Sequence, residues 1–251
     1  MTPEQRESVS YTKLEMFTTC SINAHPCNLI EDFSGFMEPN FGRCYTFNHE
    51  LDPKYVVSRP GPHYGLRLIM VANITEYMSS SQKAGVRVLV HSQGMHPFPD
   101  SQGFSAGIGN ALSFRVQYNT IKRLNKPYGD CTGEIDPIKF FYTKNYSVEG
   151  CLRSCFQRRL VLACGCGDPR FPLPPERLRT QFCSRTDKPE DCYCLRKNTA
   201  ELNCMNQFIA ANGPETLIDC DCTQTCNDDF YKVKVTKTKW PVNEHYRVRK
   251  H

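Results

Sequence analysis

Apolar and polar side chains alternate in four stretches of the chain, and each stretch predicts a β-strand with one buried face. The four stretches are residues 66–70, 86–90, 114–118 and 231–235. Between the second and the third, residues 96–110 are rich in Gly, Pro and Ser, so we expect a loop there. Strands with a single buried face are typical of antiparallel sheets. The alternation therefore predicts an antiparallel sheet to which the last strand returns.

Two other stretches have helical features. Residues 2–17 begin with Thr-Pro-Glu-Gln, which offers an N-cap, a proline at the first helical position and a capping-box glutamine, and a second helix start lies near Ser10. In residues 150–164, apolar side chains recur three and four positions apart, and Gly165, Gly167 and Pro169 then end the helix. The apolar stripe of this second helix consists of Leu152, Phe156, Leu160 and Ala163. Together with the strands, the two helices predict an α+β fold.

Cysteine content changes the picture, because the 251 residues include 15 cysteines. Twelve of them lie between residues 131 and 227, which marks this range as a separate subdomain. The close pairs are C-x-C, whereas zinc sites usually contain C-x2-C, so disulfides in an oxidising compartment are favoured over a metal site. Since the number is odd, at least one cysteine lacks a partner within the chain.

Two pairs of cysteines have matching spacings. Cys151 and Cys155 lie four residues apart in the second predicted helix, which places both thiols on one face about 6 Å apart. Cys220 and Cys222 share one face of an extended segment, roughly 6.6 Å apart. The two pairs can therefore close as two rungs of a disulfide ladder.

Catalytic motifs are absent from the sequence, which contains no HExxH, no G-x-S-x-G, no phosphate-binding glycine loop and no C-x2-C. His91 and His96 could form a metal pair, but ordinary histidines at a strand end and in a loop are favoured. We therefore expect no enzyme, no cofactor and no metal site. The net charge of +5 is mild, and the basic residues near the C-terminus favour a solvated strand face over a nucleic-acid site.

Cellular location is suggested by features at the ends and on the surface of the chain. The polar first ten residues do not form a signal peptide, and the longest apolar run, residues 66–72, is too short to span a bilayer. Asn73 and Asn145 begin glycosylation sequons. We interpret the chain as an extracellular piece of a longer protein.

Five motifs occur in the order found in one known family. They are FGRCYTFN (41–48), AGVRVLVHSQGMHPFPD (84–100), KPYGDC (126–131), YSVEGCLRSCFQRRLVLACGCGDPRFP (146–172) and CDCTQTCNDDFYKVKV (220–235), followed by Trp240-Pro241. This succession resembles the ectodomain of the degenerin / epithelial sodium channel / acid-sensing ion channel family. The phrase CGCGDPRFP is most similar to the degenerin branch.

The resemblance implies an architecture shaped like a hand. Residues 1–50 would form a helical finger, 51–126 the β-ball and the palm strands, 127–227 a disulfide-rich helical thumb, and 228–251 a returning palm strand with a segment before the membrane. The antiparallel sheet would then belong to the palm and the β-ball. Both membrane helices and the pore would lie outside this chain.

The resemblance also implies a nested order of disulfides. The family pattern gives Cys131–Cys226, Cys151–Cys222, Cys155–Cys220, Cys164–Cys192, Cys166–Cys183 and Cys20–Cys27. Cys194 and Cys204 lie outside this pattern and are left to pair with each other. Cys44 would be unpaired in this chain, because its partner would be a cysteine upstream of the first residue.

The resemblance implies that three residues couple the extracellular domain to the pore, namely Tyr128, Pro127 and Trp240. In the family the position of Tyr128 is aromatic and packs against the start of the first membrane helix, so we expect a buried, rigid ring. Glu76 matches a position that faces the thumb in a carboxylate cluster in proton-sensing members. Thr75 replaces the acidic residue that precedes it in the family, so tension or a ligand is favoured over protons as the stimulus.

The implied function is an extracellular gating domain of a voltage-insensitive, amiloride-sensitive sodium channel subunit in the plasma membrane. Its partners would be two other subunits of the family in a trimer, sodium ions in a pore outside this chain and the membrane through flanking helices, with no nucleic acid. The alternative is a secreted cysteine-rich binding module without a pore.

Overall fold

Two compact units make up the chain: unit 1 contains Met1–Asn119 and Tyr231–His251, and unit 2 contains Thr120–Phe230. The computed structural model describes residues 7–49, 55–57, 59–77, 79–131, 139–176, 179, 183, 192–194, 198–211 and 220–240. Helices and antiparallel strands occur together in this part of the chain, so the predicted α+β class is confirmed. The division into finger, β-ball, palm and thumb stays a prediction.

The regular elements are short except for two helices and two strands. The helices are α1 (Lys13–Met16), α2 (Pro99–Gln102), α3 (Val148–Cys164) and α4 (Thr199–Ala211), and a 3-10 turn covers Ile74–Glu76. The strands are β1 (Phe17–Ile22), β2 (His25–Pro26), β3 (Phe33–Glu38), β4 (Gly42–Phe47), β5 (Arg67–Met70), β6 (Gly85–Val88), β7 (Phe104–Gly107), β8 (Asn110–Lys122) and β9 (Asn227–Lys239). They form one sheet in the order β2-β1-β5 and three pairs, β3-β4, β6-β7 and β8-β9, so the four strands predicted from the alternation do not belong to a single sheet.

The core of unit 1 lies around two phenylalanines. Phe17 from β1 and Phe33 from β3 are buried, and their ring centroids are 4.7 Å apart. Leu68 and Met70 from β5 pack against this cluster, while Arg67 is exposed. Leu68 and Met70 thus lie on the predicted inward face, whereas Leu66, which the same alternation places there, is 40% exposed.

The helix predicted over residues 2–17 is interrupted in its described part, and the second helix start predicted near Ser10 lies at Thr12. Residues 7 and 8 are helical, a break follows, and a new helix, α1, is capped by Thr12. The Thr12 hydroxyl accepts a hydrogen bond from the Glu15 backbone while the Glu15 carboxylate binds the Thr12 N–H, so the capping box restarts the helix here. At Phe17 the backbone joins β1 and pairs with Met70. Residues 1–6 of the prediction lie outside the described residues.

The loop predicted over residues 96–110 is also wrong in part. Pro99 begins the short helix α2, and Phe104–Gly107 forms β7, which pairs with β6. Gly85 allows this pairing, because a Cβ on Gly85 would lie 2.1 Å from the Ala106 carbonyl oxygen. The glycine-rich composition of residues 96–110 therefore does not distinguish a loop from a short helix followed by a strand.

Helix α3 has the predicted ends but a different buried face. Ser147 caps its N-terminus, and Gly165 ends it in the left-handed conformation with a φ of 68°. Leu160 is buried as predicted, whereas Ala163 is exposed. The buried face also includes polar or sulfur-containing side chains, because disulfides and hydrogen bonds satisfy them: Cys151, Ser154, Cys155 and Gln157.

Candidate functional site

Unit 2 contains the disulfide ladder. Cys151 pairs with Cys222 and Cys155 with Cys220, at Cα–Cα distances of 5.8 and 6.1 Å. Tyr146, just before α3, donates a hydrogen bond of 2.7 Å to the Thr223 carbonyl. The first half of α3 is therefore fixed to segment 220–223 by two covalent bonds and a hydrogen bond.

Two further disulfides match the cysteine pairs that the resemblance implies, and the remaining three do not. Cys131–Cys226 and Cys20–Cys27 are formed as expected. The implied pairs Cys164–Cys192, Cys166–Cys183 and Cys194–Cys204 are wrong. The structure instead pairs Cys164 with Cys204, Cys166 with Cys194 and Cys183 with Cys192.

The positions of two backbone segments explain this exchange. Helix α4 packs on α3 through Phe208 and Phe156, whose ring centroids are 5.8 Å apart, and this brings Cys204 to the end of α3. Gly167 forms a parallel bridge with Tyr193, and its carbonyl accepts a 2.8 Å hydrogen bond from the Cys194 N–H. Cys194 therefore lies beside Cys166, and Cys192 is left for Cys183.

A buried amide holds the segment that follows α3. Gln157 is fully buried, and its Nε2 donates to the carbonyls of Asp168 and Phe171 at 3.0 and 3.3 Å. Its Oε1 accepts from the Asp168 N–H at 2.9 Å. The sequence shows only a polar residue within a helix, so this role was missed in the sequence analysis.

The aspartate of the CGCGDPRFP phrase is buried and paired. Asp168 is 1% exposed, and its carboxylate accepts three bonds from the Arg170 guanidinium, the shortest at 2.6 Å. This hydrogen bonding raises the pKa of Arg170, which remains charged. Phe171 then packs edge-on against Phe156 at 5.6 Å. The phrase that suggested the family thus has a structural role, which is to lock the end of α3.

Substitution of Gly167 by alanine is expected to destabilise unit 2. The new Cβ would lie 2.6 Å from Gln157 Nε2 and 2.9 Å from Leu173 Cδ2, and the buried amide has no room to move. Overpacking of this kind costs about 1–3 kcal/mol. Thermal unfolding should show the loss, with Gly65→Ala as the control, because a Cβ there meets no atom closer than 3.8 Å. An unfolding midpoint for Gly167→Ala that equals the control's would contradict the proposed role of Gln157.

The turn that contains Tyr128 is anchored at several atoms. The N–H groups of Tyr128 and Gly129 donate to the Asn125 carbonyl at 3.1 and 3.3 Å. Asn125 Oδ1 lies 2.9 Å from Cys131 Sγ and 2.8 Å from Cys226 Sγ. Next to the turn, the Arg123 N–H donates to the Cys226 carbonyl at 2.7 Å. The turn is thereby tied to the Cys131–Cys226 bridge.

The side chain of Tyr128 projects from this turn into solvent. Its exposed fraction is 84%, and the burial of the ring against a membrane helix, which the resemblance implies, stays a prediction. Pro127 and Lys126 beside it are also exposed. The Tyr128 ring is exposed because the hydrogen bonds that anchor the turn involve the backbone of Tyr128 and not its side chain. Trp240 in unit 1 is 45% exposed, and its backbone N–H donates to the Gly109 carbonyl at 3.0 Å.

Cys44 on β4 is the free cysteine among the described residues. Burial, together with the nearby charge of Glu38, raises its pKa to about 11. The thiol is therefore protonated at neutral pH. Its implied pairing with an upstream cysteine stays a prediction.

Glu76 binds neutral donors in unit 1. Its Oε2 accepts a 2.6 Å hydrogen bond from the Tyr11 hydroxyl, and its Oε1 accepts a 2.6 Å bond from Asn73 Nδ2. The bond to Glu76 raises the pKa of Tyr11 to about 12. Asn73 also caps the 3-10 turn by accepting from Thr75. The role of Glu76 in a carboxylate cluster stays a prediction.

The two histidines considered as a metal pair have other contacts. His91 Nδ1 lies 2.9 Å from the Ser92 carbonyl, and burial lowers the pKa of His91, so the ring is neutral at neutral pH. The His96 ring packs against Phe36 and Phe98. The described residues contain no group of three or more metal-binding side chains, and none of their helices is long and apolar enough to cross a membrane.

Comparison with known proteins identifies the family of the chain. A family model described as amiloride-sensitive sodium channel matches residues 2–250. Among curated proteins, degenerin unc-8 of Caenorhabditis elegans is 36% identical over 240 residues, which are 95% of this chain and 29% of the relative. The degenerin-like protein asic-1 of the same species is 39% identical over 242 residues, 96% of this chain and 28% of the relative.

Degenerin del-1 of Caenorhabditis elegans is similar at the same level, with 37% identity over 242 residues that cover 95% of this chain and 34% of the relative. The chain thus spans about a third or less of the length of these relatives. The family consists of ion channels and not of enzymes. The chain therefore belongs to the amiloride-sensitive sodium channel family.

Proposed function

We propose that this chain is the extracellular gating part of a sodium channel subunit in the plasma membrane, acting in a trimer with other subunits of the family. Unit 2 would move as a rigid body when a mechanical or ligand stimulus acts on the extracellular part of the subunit. Tyr128 would pass this motion to the membrane-proximal part of the subunit. The pore itself, which would conduct sodium and bind amiloride without voltage sensing, would lie outside this chain.

The observation that supports this proposal best is the combination of a braced unit with an aromatic side chain that lies almost entirely in solvent. Seven disulfides are formed, and six of them lie in unit 2. Covalent bonds at both ends of α3 oppose bending of the helix. A ring that is 84% exposed on an anchored turn offers a large aromatic surface that can be buried against another segment.

The contacts of Glu76 favour tension or a ligand over protons as the stimulus. A carboxylate acts as a proton sensor near neutral pH when other carboxylates raise its pKa. Here both oxygens of Glu76 accept hydrogen bonds from neutral groups, Tyr11 and Asn73. These two hydrogen bonds are therefore with neutral groups and not with a second carboxylate.

The alternative function, a secreted binding module without a pore, has no comparable support. The family match covers nearly the whole chain, and relatives named as degenerins align along its length. Replacement of Trp240 does not distinguish the channel subunit from the secreted module. The test of coupling is therefore made at Tyr128.

Extracellular placement predicts N-glycans on the full subunit. Asn145 is exposed two residues before the N-cap of α3, and Asn73 is partly exposed. Expressed in animal cells, the subunit should therefore migrate faster on gels after glycosidase treatment, and Asn73→Gln and Asn145→Gln should each remove part of the shift. Asn206→Gln, which alters no sequon and changes an exposed side chain of α4, is the control. If glycosidase changes nothing, this part of the subunit does not face the exterior.

A further inference from the structure

One face of the ribbon formed by β8 and β9 in unit 1 is polar and positively charged. The Trp240 N–H bonds to the Gly109 carbonyl at 3.0 Å, and the rings of Tyr118 and Tyr231 are 5.6 Å apart. These contacts fix an antiparallel register that places Arg115 across from Lys234. Side chains two positions apart share a face. The basic face is defined by Ser113, Arg115 and Gln117 on β8 and by Lys232, Lys234 and Thr236 on β9.

All six side chains of the basic face are exposed. No acidic residue occurs in 110–119 or 231–239, so nothing within the ribbon neutralises the cations. Lys232, Lys234 and Arg115 form no ion pair with any of the residues that the structure describes. The opposite face bears Phe114 and Val235, and Phe114 packs against Phe104 at 6.1 Å.

We propose that the basic face binds a sulfated linear polysaccharide of the extracellular matrix. Lys232 and Lys234 lie about 6.6 Å apart along the strand, and Arg115 extends the charge to the neighbouring strand. Sulfate groups on a linear chain accept hydrogen bonds from ammonium and guanidinium groups, and sugar hydroxyls pair with the hydroxyl and amide side chains between them. The disulfides place the chain in the oxidising environment where such polysaccharides occur.

The composition of the basic face distinguishes this ligand from other anions. Protein interfaces have an apolar or aromatic centre, and the basic face has none. Single-stranded nucleic acids need aromatic stacking platforms, which are on the other face. A polar, anionic ligand rich in hydroxyl groups is the one whose chemistry matches the whole basic face.

The test is binding of the whole chain to a size-defined heparin decasaccharide, measured by titration calorimetry at several salt concentrations. The variant Arg115→Thr/Lys232→Thr/Lys234→Thr should bind on the order of 100-fold more weakly, about fivefold for each cation. The slope of log affinity against log salt should fall by about 2, since each contact contributes roughly 0.7. Fully desulfated decasaccharide should not bind.

The matched control is Arg67→Thr/Lys83→Thr/Lys144→Thr, which removes the same charge from three exposed positions outside the ribbon. It should retain nearly all the affinity, and both variants should unfold at the wild-type midpoint. Equal weakening in the two variants would overturn the proposal, because net charge alone would then explain binding. Equal or tighter binding of polyglutamate, or of phosphatidylserine vesicles, would overturn it in favour of an acidic protein or a membrane.

Discussion

Replacing Tyr128 with alanine is expected to abolish or strongly reduce the stimulus-evoked, amiloride-sensitive current of a channel that contains this chain, while the amount of channel at the cell surface is unchanged. The ring is 84% exposed and holds no part of unit 2 together, so its loss leaves folding intact. Burial against another segment would involve about 150–250 Å² of aromatic surface. Truncation of such a contact typically costs about 2–4 kcal/mol, which corresponds to a loss of at least 10-fold in coupling.

Two further variants separate coupling from a general effect of the turn. Tyr128→Phe should restore most of the current, because ring area and not the hydroxyl makes the contact. Lys126→Ala changes a neighbouring side chain that is 83% exposed and should gate as the wild type does. Stimulus-evoked current and surface biotinylation, measured in the same cells, separate a loss of coupling from a loss of channel at the surface. Normal gating of Tyr128→Ala at normal surface level would reduce Tyr128 to a turn residue.

Strands were predictable from the sequence where apolar and polar residues alternate without a break, even in β8, whose predicted inward residues Val116 and Tyr118 are exposed. This holds for β5, whose Leu68 and Met70 face the core while Arg67 does not. It fails for β1, where the register shifts between Phe17 and Thr19 and places the buried Phe17 three residues from the buried Cys20. A bulge breaks the period of two, so β1 was not predicted.

The disulfides show a similar limit. The two rungs of the ladder follow from local geometry and the family order, since Cys151 and Cys155 share a helix face. The exchanged bridges depend on where α4 and Tyr193 lie, which no spacing along the chain reveals. Gln157 was missed for the same reason: its partners, the backbone groups of Asp168 and Phe171, are brought to it by the turn after α3.

Removal of both rungs of the ladder is the second change with a large expected effect. The rungs close loops of 71 and 65 residues, but the outer bridge Cys131–Cys226 already closes one of 95. The added loops are therefore shorter, and the entropy of loop closure gives a total loss of about 4–6 kcal/mol for the pair. Removal of Cys155–Cys220 alone should cost only about 2 kcal/mol, because Cys151–Cys222 still closes nearly the same loop. A domain has about 5–15 kcal/mol of stability in all, so the double removal should take away a large part of the stability of unit 2.

Peptide-resolved hydrogen exchange of the chain tests most directly whether unit 2 is a body held by its bridges. The comparison is between wild type and the variant with alanine at positions 151, 155, 220 and 222, with Cys20→Ala/Cys27→Ala as the control in unit 1. In the four-alanine variant, amides of α3 should lose their protection while β1 and β5 keep theirs. Unchanged protection of α3, or simultaneous loss of protection in α3, β1 and β5, would contradict the claim that unit 2 is a separate rigid body held by its disulfides.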